Sequence, residues 1–275
     1  MFDKLSYTWS LMGASWDVLK RDKEMLLFPV LSLIGCILVV ASFAIPLYKA
    51  DFLAPPPANA EPARLATYYG LLFLFYVATY FVVIFFNAAI VACAVERMQG
   101  GDPTVGFGLR AAAERLPQIL GWAIVSATVG MVLRALEDRH KGLGRIVIGL
   151  VGAAWSVATF LVVPVLVVEK KGPFAAASES ARLLKRTWGE QIIGGVGFGL
   201  LFFAMSIPGI ALLVLGFMSR MWVAVGLGIA YILVLSLVQS ALSVIFTAAV
   251  YLYARDGQAP AGFHAGLLDG AMKRR

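Results

Sequence analysis

The chain has 275 residues, 60% of them hydrophobic and only 14% charged, with a formal net charge of +7. A soluble domain carries about a quarter charged residues, so the deficit argues against a water-soluble fold and for hydrocarbon as the solvent. The apolar residues form long continuous runs instead of alternating segments of about ten, which argues against a β-barrel and leaves helices, whose amides are all satisfied within their own segment.

The first element in chain order is not a span. Phe2, Leu5, Trp9, Met12, Trp16 and Leu19 recur at intervals of three and four residues, which predicts an apolar stripe on one face of a helix. Residues 1–23 mix both signs of charge, unlike the short basic stretch that opens a signal peptide, and Ala58-Asn59-Ala60 lies too late for a cleavage site. Six runs long enough to span follow: Met25–Tyr48, Leu65–Val95, Ile119–Leu136, Ile146–Val168, Ile192–Met218 and Met221–Tyr253. The second and sixth exceed the length a bilayer requires and are expected to tilt or extend beyond it. Pro29, Pro46, Pro164 and Pro208 lie inside runs, where proline kinks a membrane helix without forbidding it. Arg134 near the end of the third run is placed to snorkel. The outer loop Asp51–Arg64, with Pro55, Pro56, Pro57 and Pro62, reads as a stiff linker.

Charge sets the orientation. The amino terminus, residues 97–116, residues 170–190 and the carboxy terminus carry 16 of the 23 Lys and Arg residues, and the opposite side carries 7. Both termini are therefore expected in the cytoplasm of an inner (cell) membrane protein. The same side repeats a pattern. Val105, Leu109, Ala112 and Leu116 draw an apolar stripe before the third span, and Phe174, Ala177, Ala181, Leu184 and Trp188 draw one before the fifth. Val18-Leu19-Lys20-Arg21 resembles Leu183-Leu184-Lys185-Arg186. The second, fourth and sixth spans each end in charged residues, a Gly and a Pro: Glu96–Pro103, Glu169–Pro173 and Arg255–Pro260. The predicted fold is an all-α membrane protein. It is a single integral membrane domain over residues 1–275, with six transmembrane helices as three parallel helical hairpins, each preceded by a cytoplasmic amphipathic interfacial helix. The repeat units are about 1–98, 99–170 and 171–257, followed by a tail at 258–275 with Phe263 and Leu267.

The stretch from Asn87 to Pro117 and the stretch from Pro164 to Glu190, with its Gly-Pro, Ser, Leu-Lys-Arg and Trp-Gly-Glu residues, resemble an uncharacterised prokaryotic family of six-span integral membrane proteins. The resemblance extends over nearly the whole chain and implies architecture, not an activity. The helix exit with Glu and Gly-Pro before a Ser/Leu/Trp helix is distantly similar to the membrane domain of glycerophosphodiester phosphodiesterases. The chain has no room for the soluble catalytic barrel of that enzyme.

Away from their ends, the six runs contain no Asp, Glu, Lys or His. Proton-coupled transport and acid–base catalysis both need such groups, so the expectation is no enzyme, no cofactor and no metal. His140 and His264 lie far apart without ligand spacing, and Cys36 and Cys93 sit singly in apolar runs. Glu96 and Glu169 are expected to form salt bridges at helix exits. The glycines at 194–199 do not form a nucleotide loop, and the pairs Gly195/Gly199, Gly226/Ala230 and Ala88/Ala92 are small residues suited to helix contacts. The candidate polar feature is a stripe on the sixth span, Ser236, Gln239, Ser240, Ser243 and Thr247, with Asn87 the comparable amide elsewhere. It suits helix packing, or else a polar conduit or a lipid headgroup pocket. Trp9, Trp16 and Trp188 are the candidate interfacial anchors. The expected function is a non-enzymatic interaction, organising or lipid-handling protein of the membrane. The alternative is a transporter or channel with a polar pathway along the sixth helix. Expected partners are membrane lipids with anionic headgroups on the cytoplasmic side, and a membrane protein or a second copy of the chain; no nucleic acid is implied.

Overall fold

The computed structural model describes residues 2–49, 56–57, 60–140, 142–187 and 194–263. Every regular element among them is helical. In chain order these are α1 (Phe2–Arg21), a short 3-10 turn (Lys23–Leu26), α2 (Leu27–Lys49), α3 (Pro62–Met98), α4 (Val105–Ala113) and α5 (Leu116–Arg139). Then come α6 (Leu143–Ala158), α7 (Val162–Val168), α8 (Pro173–Thr187), α9 (Gly194–Met218) and α10 (Trp222–Asp256). Six segments are long and apolar enough to cross a membrane: Lys23–Lys49, Pro62–Met98, Leu116–Arg139, Leu143–Val168, Leu201–Met218 and Trp222–Asp256. They fall on the six predicted runs, and the chain is a multi-pass membrane protein. The second and sixth are the long ones, at 37 and 35 residues. At 1.5 Å per residue each is more than 50 Å long, against about 30 Å of hydrocarbon.

The chain forms two compact units, each discontinuous in sequence. One comprises the described residues of Met1–Pro29, Ile90–Gly108 and Arg182–Arg275, and the other Val30–Ala89 and Leu109–Ala181. In the first unit α1 packs on α9 and α10. Its fully buried side chains include Leu11 and Leu19 of α1, Met25, Phe28 of α2, Ile90 and Val91 toward the C-terminal end of α3, and Ile245 and Tyr251 toward that of α10. Outer turns of α9 and α10 expose Val214, Phe217, Trp222 and Val223 instead, as expected of a surface that faces lipid, where burial between helices gains no hydrophobic free energy. What brings α9 and α10 together is the absence of side chains. A methyl group on Gly209 would lie 2.6 Å from the Tyr231 ring, and one on Gly228 would lie 2.9 Å from Leu213. Of the expected small-residue pair Gly226/Ala230, both members are exposed, and the space around Gly226 is open. Which glycines meet a neighbour depends on how each helix is rotated about its axis, and spacing alone does not give that rotation.

In the second unit, aromatic contacts join neighbours: Trp122 of α5 stacks on Trp155 of α6 at 5.9 Å between ring centroids, and Phe43 of α2 meets Phe75 of α3 edge-on at 5.6 Å. Arg134 donates to the Tyr76 hydroxyl at 3.0 Å, which gives the guanidinium of the third span a polar partner on α3.

Three helix exits share one device. After α3 and α10 the chain turns through a left-handed residue, Gly100 (φ 92°) and Gly257 (φ 71°). At the exit of α7 the left-handed residue is Lys170 (φ 58°), not the expected Gly172. A side chain in that region costs about 1 kcal/mol, which glycine avoids. Lys170→Gly is therefore expected to raise stability by roughly 1 kcal/mol, read as a rise of a few degrees in Tm in detergent micelles; a fall would show that the lysine side chain outweighs the backbone cost.

Candidate functional site

Helix α1 carries two of the candidate anchors, Trp9 and Trp16, and α8 is the helix that precedes the third in sequence. In α1 Leu11, Ser15, Val18 and Leu19 are buried, and in α8 the buried residues are Ala176, Ser180, Leu183 and Leu184. Ala14 is buried on α1 as well; the other four positions have the same spacing as the α8 set, and both precede the matched Lys20-Arg21 and Lys185-Arg186 pairs. Facing outward are Trp9 (58% exposed), Trp16 (38%) and, at the position of α8 that matches Trp9, Phe174 (77%). Lys20 places its ammonium 5.8 Å from the Trp16 ring centroid, close enough for a cation–π attraction. Trp188, the third candidate anchor, lies outside the described residues. In α4 the buried residues are Gly108 and Ala112.

Charge fixes the ends of these elements. Arg97 at the end of α3 makes a two-pronged contact with the buried Asp22, which follows α1, and also reaches Asp102. A planar guanidinium suits such two-oxygen binding, and pairing is what lets a carboxylate be buried. Glu96, expected to form the salt bridge here, takes no part in this pair. At the exit of α7, Lys171 binds Glu169 at 2.6 Å and Glu179 of α8 at 3.0 Å. Glu169 first, then Glu179, hold the Lys171 ammonium above its ordinary value. On the lysine side, the contribution of this bridge is therefore complete at neutral pH and is lost as pH rises through that raised value.

The fourth span shows what α8 does for the membrane-embedded backbone. It is not one helix: α6 ends at Ala158 and α7 begins at Val162. Pro164 has no N–H to offer the carbonyl of Phe160, and its ring crowds that carbonyl. The ladder tightens around the break, with Phe160 donating to Val157 and Val162 to Thr159. This leaves the carbonyl of Ala158 and the N–H of Leu161 without their helical partners. Ser180 of α8, fully buried, satisfies both: its hydroxyl donates to Ala158 at 2.7 Å and accepts from Leu161 N–H at 3.0 Å. The sequence reading placed Pro164 inside a kinked helix and missed Ser180. Ser180 lies off the apolar stripe expected for this helix, which runs through Phe174, Ala177, Ala181 and Leu184, so the sequence pattern carried no signal for it.

The candidate polar residues are only partly brought together. Ser236 and Gln239 of α10 line a cleft of about 270 Å³ whose other wall is α9, with Phe202, Phe203 and Ser206. Ser240, Ser243 and Thr247 lie beyond that lining. The Thr247 hydroxyl donates to the Ser243 carbonyl, and Ser240 is half-buried. Asn87 is half-buried on α3 and belongs to the other unit. Ser206 was not singled out from sequence, although it is a hydroxyl two positions before Pro208 in an otherwise apolar run.

Residues 66–263 match the model of a family of unknown function, DUF6159. The chain belongs to this family. The match takes in the broken fourth span, Ser180 and the α9–α10 cleft, while α1 and α2 precede it. No curated protein and no solved structure matches the chain, and nothing supports the distant likeness to the membrane domain of glycerophosphodiester phosphodiesterases. Membership in the family carries no assigned chemistry.

Ser180→Ala removes both partners from the break in the fourth span and is expected to cost about 2 kcal/mol, the penalty for leaving buried polar groups unsatisfied. Ser180→Thr, which keeps the hydroxyl, separates loss of the bond from loss of volume. Equal Tm values for Ser180→Ala and the unaltered protein would remove the cap from this account.

Proposed function

We propose that this chain is a non-enzymatic, six-span protein of the cell (inner) membrane that gathers anionic lipid and neighbouring membrane proteins through a cytoplasmic collar of amphipathic helices. In this reading both termini are cytoplasmic, since 16 of 23 basic residues lie on their side. The chain is three parallel hairpins, with repeat units near 1–98, 99–170 and 171–257, and α1, α4 and α8 each introduce one hairpin.

The observation that carries the proposal is the shared construction of α1 and α8. Each buries a narrow face built at the same spacing and turns an aromatic residue and a lysine outward, Trp9, Trp16 and Lys20 on one and Phe174 and Lys185 on the other. A soluble helix gains nothing by exposing indole rings. At a bilayer surface the rings enter the headgroup layer while the ammonium groups meet anionic phosphates. A like arrangement at two separated places in the chain argues for selection of that surface and against chance exposure. Within the six spans no Asp, Glu, Lys or His lies away from the ends, which favours binding over catalysis. A polar pathway along α10 is the second reading, and the cleft lined by Ser206, Ser236 and Gln239 is the observation in its favour.

The test uses full-length protein in nanodiscs of mixed zwitterionic and anionic phospholipid, with Trp9 or Trp16 as the only tryptophan. Brominated anionic lipid is expected to quench either residue strongly and aqueous iodide weakly; the reverse pattern would place the rings in water and refute the collar. Each cation at an anionic surface contributes about 1 kcal/mol. The pair Lys20→Gln and Lys185→Gln should therefore lower retention of copurified anionic lipid by roughly tenfold or more.

A further inference from the structure

The cleft between α9 and α10 lies within the spans, well away from the collar. Ser236 stands fourteen positions into α10, about 21 Å from its start at Trp222, and Ser206 stands about 18 Å from the end of α9 at Met218. With a hydrocarbon layer about 30 Å thick, both hydroxyls lie near the middle of the bilayer.

Each polar group in the cleft has a defined remaining capacity. The Ser206 hydroxyl donates to the Phe203 carbonyl at 2.7 Å and the Ser236 hydroxyl to the Ile232 carbonyl at 2.8 Å. Their protons are used within their own helices, so both oxygens face the cleft as acceptors. Gln239 is half-buried, and among the described residues its amide has no hydrogen-bond partner. It offers two N–H donors and one carbonyl acceptor. An amide left unmet in hydrocarbon costs several kcal/mol, so this position is unfavourable unless something fills it.

The walls restrict the occupant further. Phe202, Phe203 and Ile232 are apolar, and the lining holds no charged residue. Phe203 is mostly exposed, so the cleft opens on the flank of the helix pair. Pro208 denies the Ala204 carbonyl its helical donor, and the Tyr231 hydroxyl of α10 donates to the adjacent Met205 carbonyl at 2.9 Å. The α9 wall is thus pinned to α10 just above the polar residues. A charged headgroup cannot reach this depth without a counter-charge, and the cleft supplies none. A group that both donates and accepts, carries no charge and is attached to apolar chains meets every condition.

We infer that the α9–α10 cleft, with Gln239 as its principal contact and Ser206 and Ser236 as acceptors, is a binding site for an uncharged lipid bearing a free hydroxyl, of the diacylglycerol class. The hydroxyl donates to a serine oxygen and accepts from the Gln239 amide, while an acyl chain lies against Phe202, Phe203 and Ile232. This inference does not depend on the collar binding anionic lipid, because the two regions share no residue.

The test is native mass spectrometry of the full-length protein released from micelles doped with diolein, or with triolein, in which the hydroxyl is esterified. Diolein retention is expected to exceed that of triolein at least tenfold. Gln239→Leu should abolish the difference and Ser236→Ala should reduce it severalfold, while Ser240→Ala, outside the cleft, should leave it unchanged. Circular dichroism and a monodisperse elution profile establish that each variant is folded. Equal retention of diolein and triolein overturns the assignment, as does full diolein retention by Gln239→Leu. If Gln239→Leu turns a dimer into a monomer and diolein retention is unaffected, the amide serves a second copy of the chain and the lipid site is refuted.

Discussion

A peptide group in hydrocarbon has no water to bond, and most of this structure is arranged around that constraint. It explains why the described elements are all helices, and why the one interrupted span requires help from outside itself. Pro164 opens the ladder of the fourth span, the local backbone tightens to recover two bonds, and Ser180 supplies the partners for the remaining pair. Helix α8 is in this sense part of the fold of the fourth span although it is not itself long and apolar enough to cross a membrane. Lys171 adds a second tie between the same elements, bridging Glu169 at the exit of α7 and Glu179 on α8.

Where water is present, a different force organises the chain. Helices α3 and α10 are far longer than the hydrocarbon is thick, and their C-terminal ends join Leu11 and Leu19 of α1, Met25 and Phe28 in supplying the largest fully buried side chains of the first unit. Hydrophobic burial stabilises packing only against an aqueous alternative, so a soluble-type core forms where helices emerge and a close, glycine-mediated contact forms where they do not. Arg97 and Asp22 belong to the emergent part, and their pairing allows a carboxylate to be buried beside that core.

The six spans were legible because each is signalled within its own segment by hydropathy and flanking charge. The stripes expected on α1 and α8 are not the faces that pack: Trp9, Trp16, Phe174 and Ala181 are exposed, and the buried faces run through Leu11, Ser15 and Val18 and through Ala176, Ser180 and Leu183. What the sequence did not reveal depends on partners distant in the chain. Ser180 reads as an ordinary helix residue until the break at Pro164 is set beside it. Gly209 and Gly228 read no differently from Gly226 until the rotation of α9 against α10 is known. Ser206 gains meaning only because α10 brings Ser236 and Gln239 to the other wall of the same cleft. Lys170 stands where a Gly-Pro motif two residues later suggested glycine would make the turn.

The discontinuous first unit has a consequence for biogenesis. Its opening segment, Met1–Pro29, packs with residues that follow Arg182, so α1 leaves the ribosome long before α9 and α10 exist. At about 5–20 residues per second, Leu11, Val18 and Leu19 lack their final neighbours for on the order of ten seconds or more. A bilayer surface gives such a helix somewhere to wait with its apolar side covered.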